Sequence, residues 1–314
     1  MQALQTLLPA AHVRLDRESD REGQAADHSR VPTADRTQGE SKAQVFCAAG
    51  WKPPADFFAR YPGLTTFFCA GAGVDHLLQH PGLPPGLAVV RLEDAGMGPL
   101  MADYCEHALL HISGGFARYR QQQEQARWQA HEPLPREALD VGIVGLGVLG
   151  LQVARRLQRA GFRVRGYTRT PRQIEGIEVL HGAQGWLRFL SQTRVLILLA
   201  PRTPETENLI DATALAALPQ GAWLINVARG ALVVDADLLA SLDAGHLNGA
   251  ILDVFREEPL PAHHAFWHHP RVLITPHVSA PTQVEISARQ VAANIGRLIR
   301  GEALQGLVDR GRGY

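Results

Sequence analysis

Cysteine is scarce in this chain: Cys47, Cys69 and Cys105 are the only three in 314 residues. An odd number at wide spacing excludes a disulfide framework and offers no metal-ligand pair, and it fits a reducing, cytoplasmic compartment. The three thiols therefore read as core residues. An excess of charge of either sign is also missing, with 31 Lys and Arg against 31 Asp and Glu. That excludes the basic surface a nucleic-acid or anionic-membrane partner would require. Long apolar runs are absent too. The longest uncharged apolar stretch, VGIVGLGVLGLQVA at 141–154, falls short of the roughly 20 residues a membrane span needs. The first apolar stretch, LQTLLPAA, is short and leads into RLDRESDRE, which fits neither a secretory signal nor, with its acids, a mitochondrial presequence.

What is present is enough for two ordinary globular domains: 46% hydrophobic residues over a length that exceeds one domain of roughly 100–200 residues. Residues 1–15 suggest a short amphipathic helix and a strand. Residues 16–42 are polar and charged, with Gly, Pro and Ser, and read as a solvated loop. QVFCAAG (44–50), TTFFCAGAG (65–73) and LAVVRL (87–92) read as strands, with helices expected after PPADFFARY and at VDHLLQH. Residues 100–127 lack proline and carry helical periodicity, which predicts one long helix. After a linker at 131–140, short apolar runs alternate with helical stretches: VGIVG, FRVRGY, RVLILLA, AWLINVA, GAILDVF and RVLIT. Runs apolar at successive positions are the mark of parallel strands buried on both faces, and their alternation with helices predicts a doubly wound α/β sheet. A last helix is expected over 282–301.

The run VGIVG leads into GLGVLG (145–150). In a strand–turn–helix setting Gly145 permits the tight turn, Gly147 lets the backbone approach a pyrophosphate, and Gly150 allows close helix–strand packing. The helix start, with Val148 and Leu149, presents free N–H groups to phosphate. One absence then becomes informative. About 20 residues on, where an NAD site would carry Asp or Glu for the ribose 2′-hydroxyl, the sequence runs RGYTRTPR. Thr168, Arg169, Thr170 and Arg172 are donors suited to a 2′-phosphate, which a carboxylate would repel. Arg165, inside the strand, is expected to contribute little.

Three more strand ends carry polar residues. Arg229 follows LINVA, Asp253 closes GAIL with Glu258 five residues later, and His277 follows VLITP. Open α/β sheets bind ligands at the carboxyl ends of their strands, so these groups share the crevice of the glycine loop. Reduction of a 2-keto acid needs a fixed cation for the carboxylate and carbonyl, which Arg supplies, and a proton donor matched to neutral pH, which His supplies. A neighbouring Glu favours imidazolium and orients the ring.

The blocks GLGVLG, LLAPRTPETENLI, LINVARGALVVDADLLASL, GAILDVFREEPLP and RVLITPHVSA resemble those of the D-isomer-specific 2-hydroxyacid dehydrogenases. GWKPP, FFCAGAGVDHLL, VVRLEDAGMGPLMADY, YTRTPR and VDRGRGY are similar to the glyoxylate/hydroxypyruvate reductase A branch, over about residues 44–314. The resemblance implies two Rossmann-like domains with doubly wound parallel sheets. The substrate domain (1–99 plus 281–314) would be smaller and discontinuous, and the NADP-binding domain would take 100–280. It implies a catalytic set of Arg229, Glu258 and His277, with Arg229 on the substrate and His277 as proton donor. Asp253 would hold the nicotinamide carboxamide and Pro201 would line the cofactor. The amides of Gly71, Ala72 and Gly73 would receive the substrate carboxylate, with Trp51 and Met97 as walls. NADP(H) would be preferred over NAD(H), and a homodimer would form through the nucleotide domain with the 100–130 segment as an arm.

The activity so implied is NADPH-dependent reduction of glyoxylate and hydroxypyruvate to glycolate and D-glycerate. The alternatives are another 2-keto acid, or a non-catalytic NAD(P)-sensing protein of the same fold. Two departures stand out. Family members begin with a strand before the helix that MQALQTLLPAA resembles, so the substrate sheet is expected to lack its first strand. LAPRTP carries Ala200 and Arg202 where relatives often have Pro and Asn, and Arg202 would either add charge near the cofactor or face solvent. The histidines of AHHAFWHHP (262–270) lack ligand spacing and are not expected to bind metal, whereas Trp267 is expected nearer the substrate.

Overall fold

The structure, a computed structural model, describes residues 47–314. The expectations for residues 1–46, including the first helix, the 16–42 loop and the absent strand, lie outside the described residues. The described chain forms two compact units, residues 47–95 with Gln283–Tyr314, and Gly96–Thr282.

In the first unit, strands β1 (Cys47–Gly50), β2 (Thr66–Cys69) and β3 (Ala88–Val90) form a parallel sheet in that order. Helices α1 (Phe57–Arg60) and α2 (Asp75–Leu78) are single turns between them. Phe57, Phe58, Phe67, Leu77 and Val89 make the core, with Phe57 and Phe58 edge-on to the Phe67 ring. The C-terminal segment completes this unit: Val308 donates its amide to Val89 O (2.9 Å), and Gln290 exchanges two hydrogen bonds with the Glu93 backbone (2.9 and 2.8 Å).

The second unit opens with helices α3 (Met97–Ser113) and α4 (Phe116–Glu124). The single long helix expected over 100–127 is therefore two. Gly114 ends the first, and Gly115, at φ 67°, starts the second. Glycine adopts that left-handed conformation without a Cβ penalty, and helical periodicity on either side masks it. Strands β4 (Asp140–Val144), β5 (Arg163–Thr168), β6 (Glu178–His181), β7 (Val195–Leu198), β8 (Ala222–Asn226), β9 (Leu247–Leu252) and β10 (Val272–Ile274) follow, with helices α5 (Val148–Arg159), α6 (Gly182–Ser191), α7 (Ala212–Ala217) and α8 (Asp235–Asp243) between them; α9 (Val284–Ile299) belongs to the first unit.

The sheet order is β10-β9-β8-β7-β4-β5-β6, all parallel. This is the expected doubly wound architecture. The chain runs outward from β4 to one edge, then returns to the other side of β4, so β4 and β7 flank the topological switch point. Edge strand β6 was not anticipated. Its four residues, EVLH, bury only Leu180 fully, too weak a pattern to stand out. Alternation across the central strands separates two cores. Leu196, Leu198, Leu224 and Leu252 face α6, α7 and α8, whereas Val195, Ile197, Ile225 and Ile251 face α3 and α5. All four residues of β7 are buried, as expected for a strand covered on both faces. Cys69 and Cys105 are buried and Cys47 partly so; all three are free, and burial pushes the Cys105 thiol up to about 12.

Candidate active site

The glycine loop joins β4 to α5 at the switch point. Gly145 has φ 98°, and a Cβ there would lie 2.6 Å from Ala200 N at the end of β7. A Cβ on Gly150 would lie 2.0 Å from Gly145 O, so the helix can close on the strand only through glycine. Gly147 differs: nothing comes within 4 Å of its Cβ position. That space, above a helix start with no side-chain cap, fits a pyrophosphate received by the N–H groups of Val148, Leu149 and Gly150.

Strand β5 runs one residue past Tyr167, the expected end, to Thr168. The turn that follows is tied back to the glycine loop. Thr168 Oγ1 donates to Thr170 O (2.8 Å), and Arg172 donates to Leu146 O within GLGVLG. Arg169 is exposed, with Glu205 at 3.9 Å. Arg165 is engaged with Asp140 at 3.5 Å and Glu178 at 3.7 Å. Pro201 follows β7, and its carbonyl accepts from Thr206 Oγ1 (2.7 Å). Arg202 pairs with Glu207 at 3.1 Å, so its charge is met locally.

Arg229 is set by residues that sequence reasoning missed. Asn226, the buried last residue of β8, accepts from Ala228 N (3.1 Å) and donates to Arg229 O (3.0 Å), which fixes the 226–229 turn. Gly230 lets this turn close on the β9 end: a Cβ there would lie 1.9 Å from Phe255 C. The signal was in the motif, because an Asn and a Gly flanking VAR are turn formers. The half-buried Arg229 guanidinium donates to Ala228 O (2.7 Å).

Glu258 and His277 meet directly. His277 Nδ1 lies 2.8 Å from Glu258 Oε2, and Phe255 N donates to Oε1 at 2.9 Å. A carboxylate only accepts, so Nδ1 carries the proton and Nε2 is the nitrogen left for chemistry. Burial alone would raise the Glu258 carboxyl, but the His277 hydrogen bond, the Phe255 amide and the His277 and Arg229 charges together hold it below its usual range. It is therefore ionised throughout the neutral range. His277 has φ 55°, left-handed for a residue with a Cβ, which costs about 1–2 kcal/mol. Such strain persists only where surroundings over-determine it. Asp253 does so. It lies just beyond β9 rather than within it, has no solvent exposure, and accepts from Thr275 Oγ1 (2.6 Å), Val278 N (2.8 Å) and Ser279 N (2.9 Å).

The other expected site residues are placed as follows. In the first unit, the Trp51 ring packs on Gly71, whose Cβ would lie 2.1 Å from it, and tilts against His76 at 4.3 Å between centroids. Gly71 is thus glycine because the indole occupies its side-chain space. Ala72 and Gly73 continue this turn, half-buried. In the second unit, Met97 is the buried first residue of α3. Trp267 is half-exposed and donates to Pro261 O (3.0 Å). Two of the four histidines around it are partnered: His264 with Asp235 at 3.4 Å and His269 with Asp243 at 3.3 Å.

Residues 107–279 match the family described as D-isomer specific 2-hydroxyacid dehydrogenase, NAD binding domain. The chain belongs to the D-isomer-specific 2-hydroxyacid dehydrogenases. This dehydrogenase is 42% identical over 294 residues to a glyoxylate/hydroxypyruvate reductase A of Yersinia enterocolitica, covering 91% of this chain and 94% of that one. Among solved structures it is similar to a D-isomer specific 2-hydroxyacid dehydrogenase from Xanthobacter autotrophicus Py2 in complex with NADPH and MES. That match has a TM-score of 0.89 at 37% identity, over 100% of this chain and 94% of that one. An NADPH-dependent glyoxylate/hydroxypyruvate reductase from Sinorhizobium meliloti, in complex with NADP and sulfate, has a TM-score of 0.82 at 37% identity, over 87% of this chain and 88% of that one.

Proposed function

We propose that this dehydrogenase reduces glyoxylate and hydroxypyruvate to glycolate and D-glycerate with NADPH. The observation that carries the reading is the 2.8 Å His277–Glu258 bond at the carboxyl edge of a sheet that also bears the glycine loop. Bound NADPH would supply hydride to the carbonyl carbon. Arg229 would hold the acid's carboxylate and polarise the carbonyl oxygen, His277 Nε2 would protonate that oxygen, and ionised Glu258 would stabilise the imidazolium from the other side of the ring. Gly145, Gly147, Val148, Leu149, Gly150 and Pro201 would cradle the dinucleotide. The smaller unit would recognise the acid through the amides of Gly71, Ala72 and Gly73, with Trp51 as an apolar wall; Met97 would be another. A panel of 2-keto acids with each cofactor tests the reading. It fails if tight NADPH binding accompanies no turnover of any keto acid, the behaviour of a nucleotide sensor.

The cofactor preference has its own test. Arg169, Arg172, Thr168 and Thr170 would bind the 2′-phosphate, so Arg169→Ala and Arg172→Ala should each raise KM for NADPH about tenfold, a charge-assisted bond's worth, and leave KM for NADH nearly unchanged. Equal effects on both cofactors would remove the turn from the phosphate site. Residues of the 97–134 segment support a homodimer through the nucleotide-binding unit: Phe116, Leu134 and the fully exposed Trp128 present apolar surface that a monomer would leave wet. Light scattering should give twice the 34.2 kDa chain mass, and a monomer mass would discard the dimer. A cytoplasmic location is supported by the free thiols.

A further inference from the structure

A chain of three side chains runs from helix α3 to the His277 turn. Tyr104 Oη lies 2.6 Å from Thr275 Oγ1, which donates to Asp253 Oδ1 at 2.6 Å. Threonine has one hydroxyl hydrogen, and the Asp253 carboxylate can only accept. The Thr275 hydrogen is therefore committed, and Tyr104 must be the donor. Polarity is fixed along the whole chain, from phenol to hydroxyl to carboxylate. Asp253 then holds the turn at three successive residues. Its backbone carbonyl accepts from His277 N (2.8 Å), and its carboxylate accepts from Val278 N and Ser279 N. Burial, foremost, pushes the Tyr104 phenol up to about 12, so it stays a donor at any working pH.

We propose that Tyr104 is a positioning residue for His277, acting through Thr275 and Asp253. The proposal rests on the reading of His277 as proton donor. Removing the phenol oxygen takes away one of the two hydrogen bonds that hold Thr275 Oγ1, and so loosens the clamp around a residue held at positive φ. The helix itself stays packed, because Met101, Ala102, Cys105, Ala108 and Leu109 anchor it in the core. The effect should therefore fall on the chemical step and spare the nucleotide loop.

The test measures kcat and both KM values of the full-length enzyme with glyoxylate and NADPH. Tyr104→Phe and Thr275→Val should each lower kcat about tenfold, since small misplacements of a reacting group are costly, with KM for NADPH within about twofold of the parent. Thr275→Ser keeps the hydroxyl and should keep parental kcat. The Tyr104→Phe/Thr275→Val double variant should be no slower than Thr275→Val alone, because both cut one chain. Parental kcat in Tyr104→Phe overturns the proposal, as do multiplying losses in the double variant or a joint shift of kcat and both KM values. If Thr275→Val does not fold, Tyr104→Phe and Thr275→Ser still decide it. His277→Ala, measured alongside, separates the two readings. Parental kcat there overturns the proton donor and the positioning role together. A large loss there with no effect of Tyr104→Phe overturns the positioning role alone.

Discussion

His277→Ala is expected to lower kcat for glyoxylate reduction about 10³-fold, within the range for loss of a positioned general acid and equivalent to about 4 kcal/mol of barrier. Glu258 accepts from Nδ1, its carboxyl is held ionised, and Nε2 is the only ring nitrogen left to meet a carbonyl oxygen. Alanine removes the proton source but leaves Gly145, Gly147 and the α5 start untouched, so NADPH binding measured by nucleotide fluorescence should stay within about twofold of the parent, as for a distant independent site. Retained turnover would remove His277 from the chemistry.

Arg229→Leu should lower kcat/KM for the keto acid by about 10²–10³-fold, the loss expected when one member of a partly desolvated charge pair is removed. Two effects combine. The substrate carboxylate loses its only bidentate partner in the set, and the carbonyl loses the cation that polarises it. Leucine also removes a positive charge that helps hold the Glu258 carboxyl low. Arg229→Lys should recover only part of the loss, because an ammonium cannot reproduce the fork. KM for NADPH should barely move in either variant. Steady-state kinetics that show a loss confined to NADPH binding would reassign Arg229 to the cofactor.

The parts of the site that the sequence announced are those with local signatures. GLGVLG is readable because turn, phosphate approach and helix packing each demand glycine within six residues; the structure shows positive φ and a close approach at Gly145, a close approach at Gly150 and open space at Gly147. The missing acid after β5 is readable by counting from that loop. Arg229, Glu258 and His277 are readable as strand ends, and the structure brings Glu258 and His277 into contact with Arg229 within electrostatic reach of Glu258. The split of the 100–127 segment was masked because helical periodicity continues on both sides of Gly114–Gly115. Strand β6 was missed because four residues on an edge carry little pattern.

Residue types and their spacing along the chain thus determined the fold class, the nucleotide loop, its cationic turn and the strand-end positions of Arg229, Glu258 and His277, the groups proposed to react. These features depend on neighbours a few residues apart or on buried strands that must be apolar. The supports depend on residues brought together from far along the chain. Tyr104 reaches Thr275 across 171 positions, Asp253 reaches Ser279 across 26, and Gly230 is required by the approach of Phe255. No local pattern encodes such pairs, because a hydrogen bond or a steric exclusion between distant segments exists only once the sheet has set their strand ends side by side.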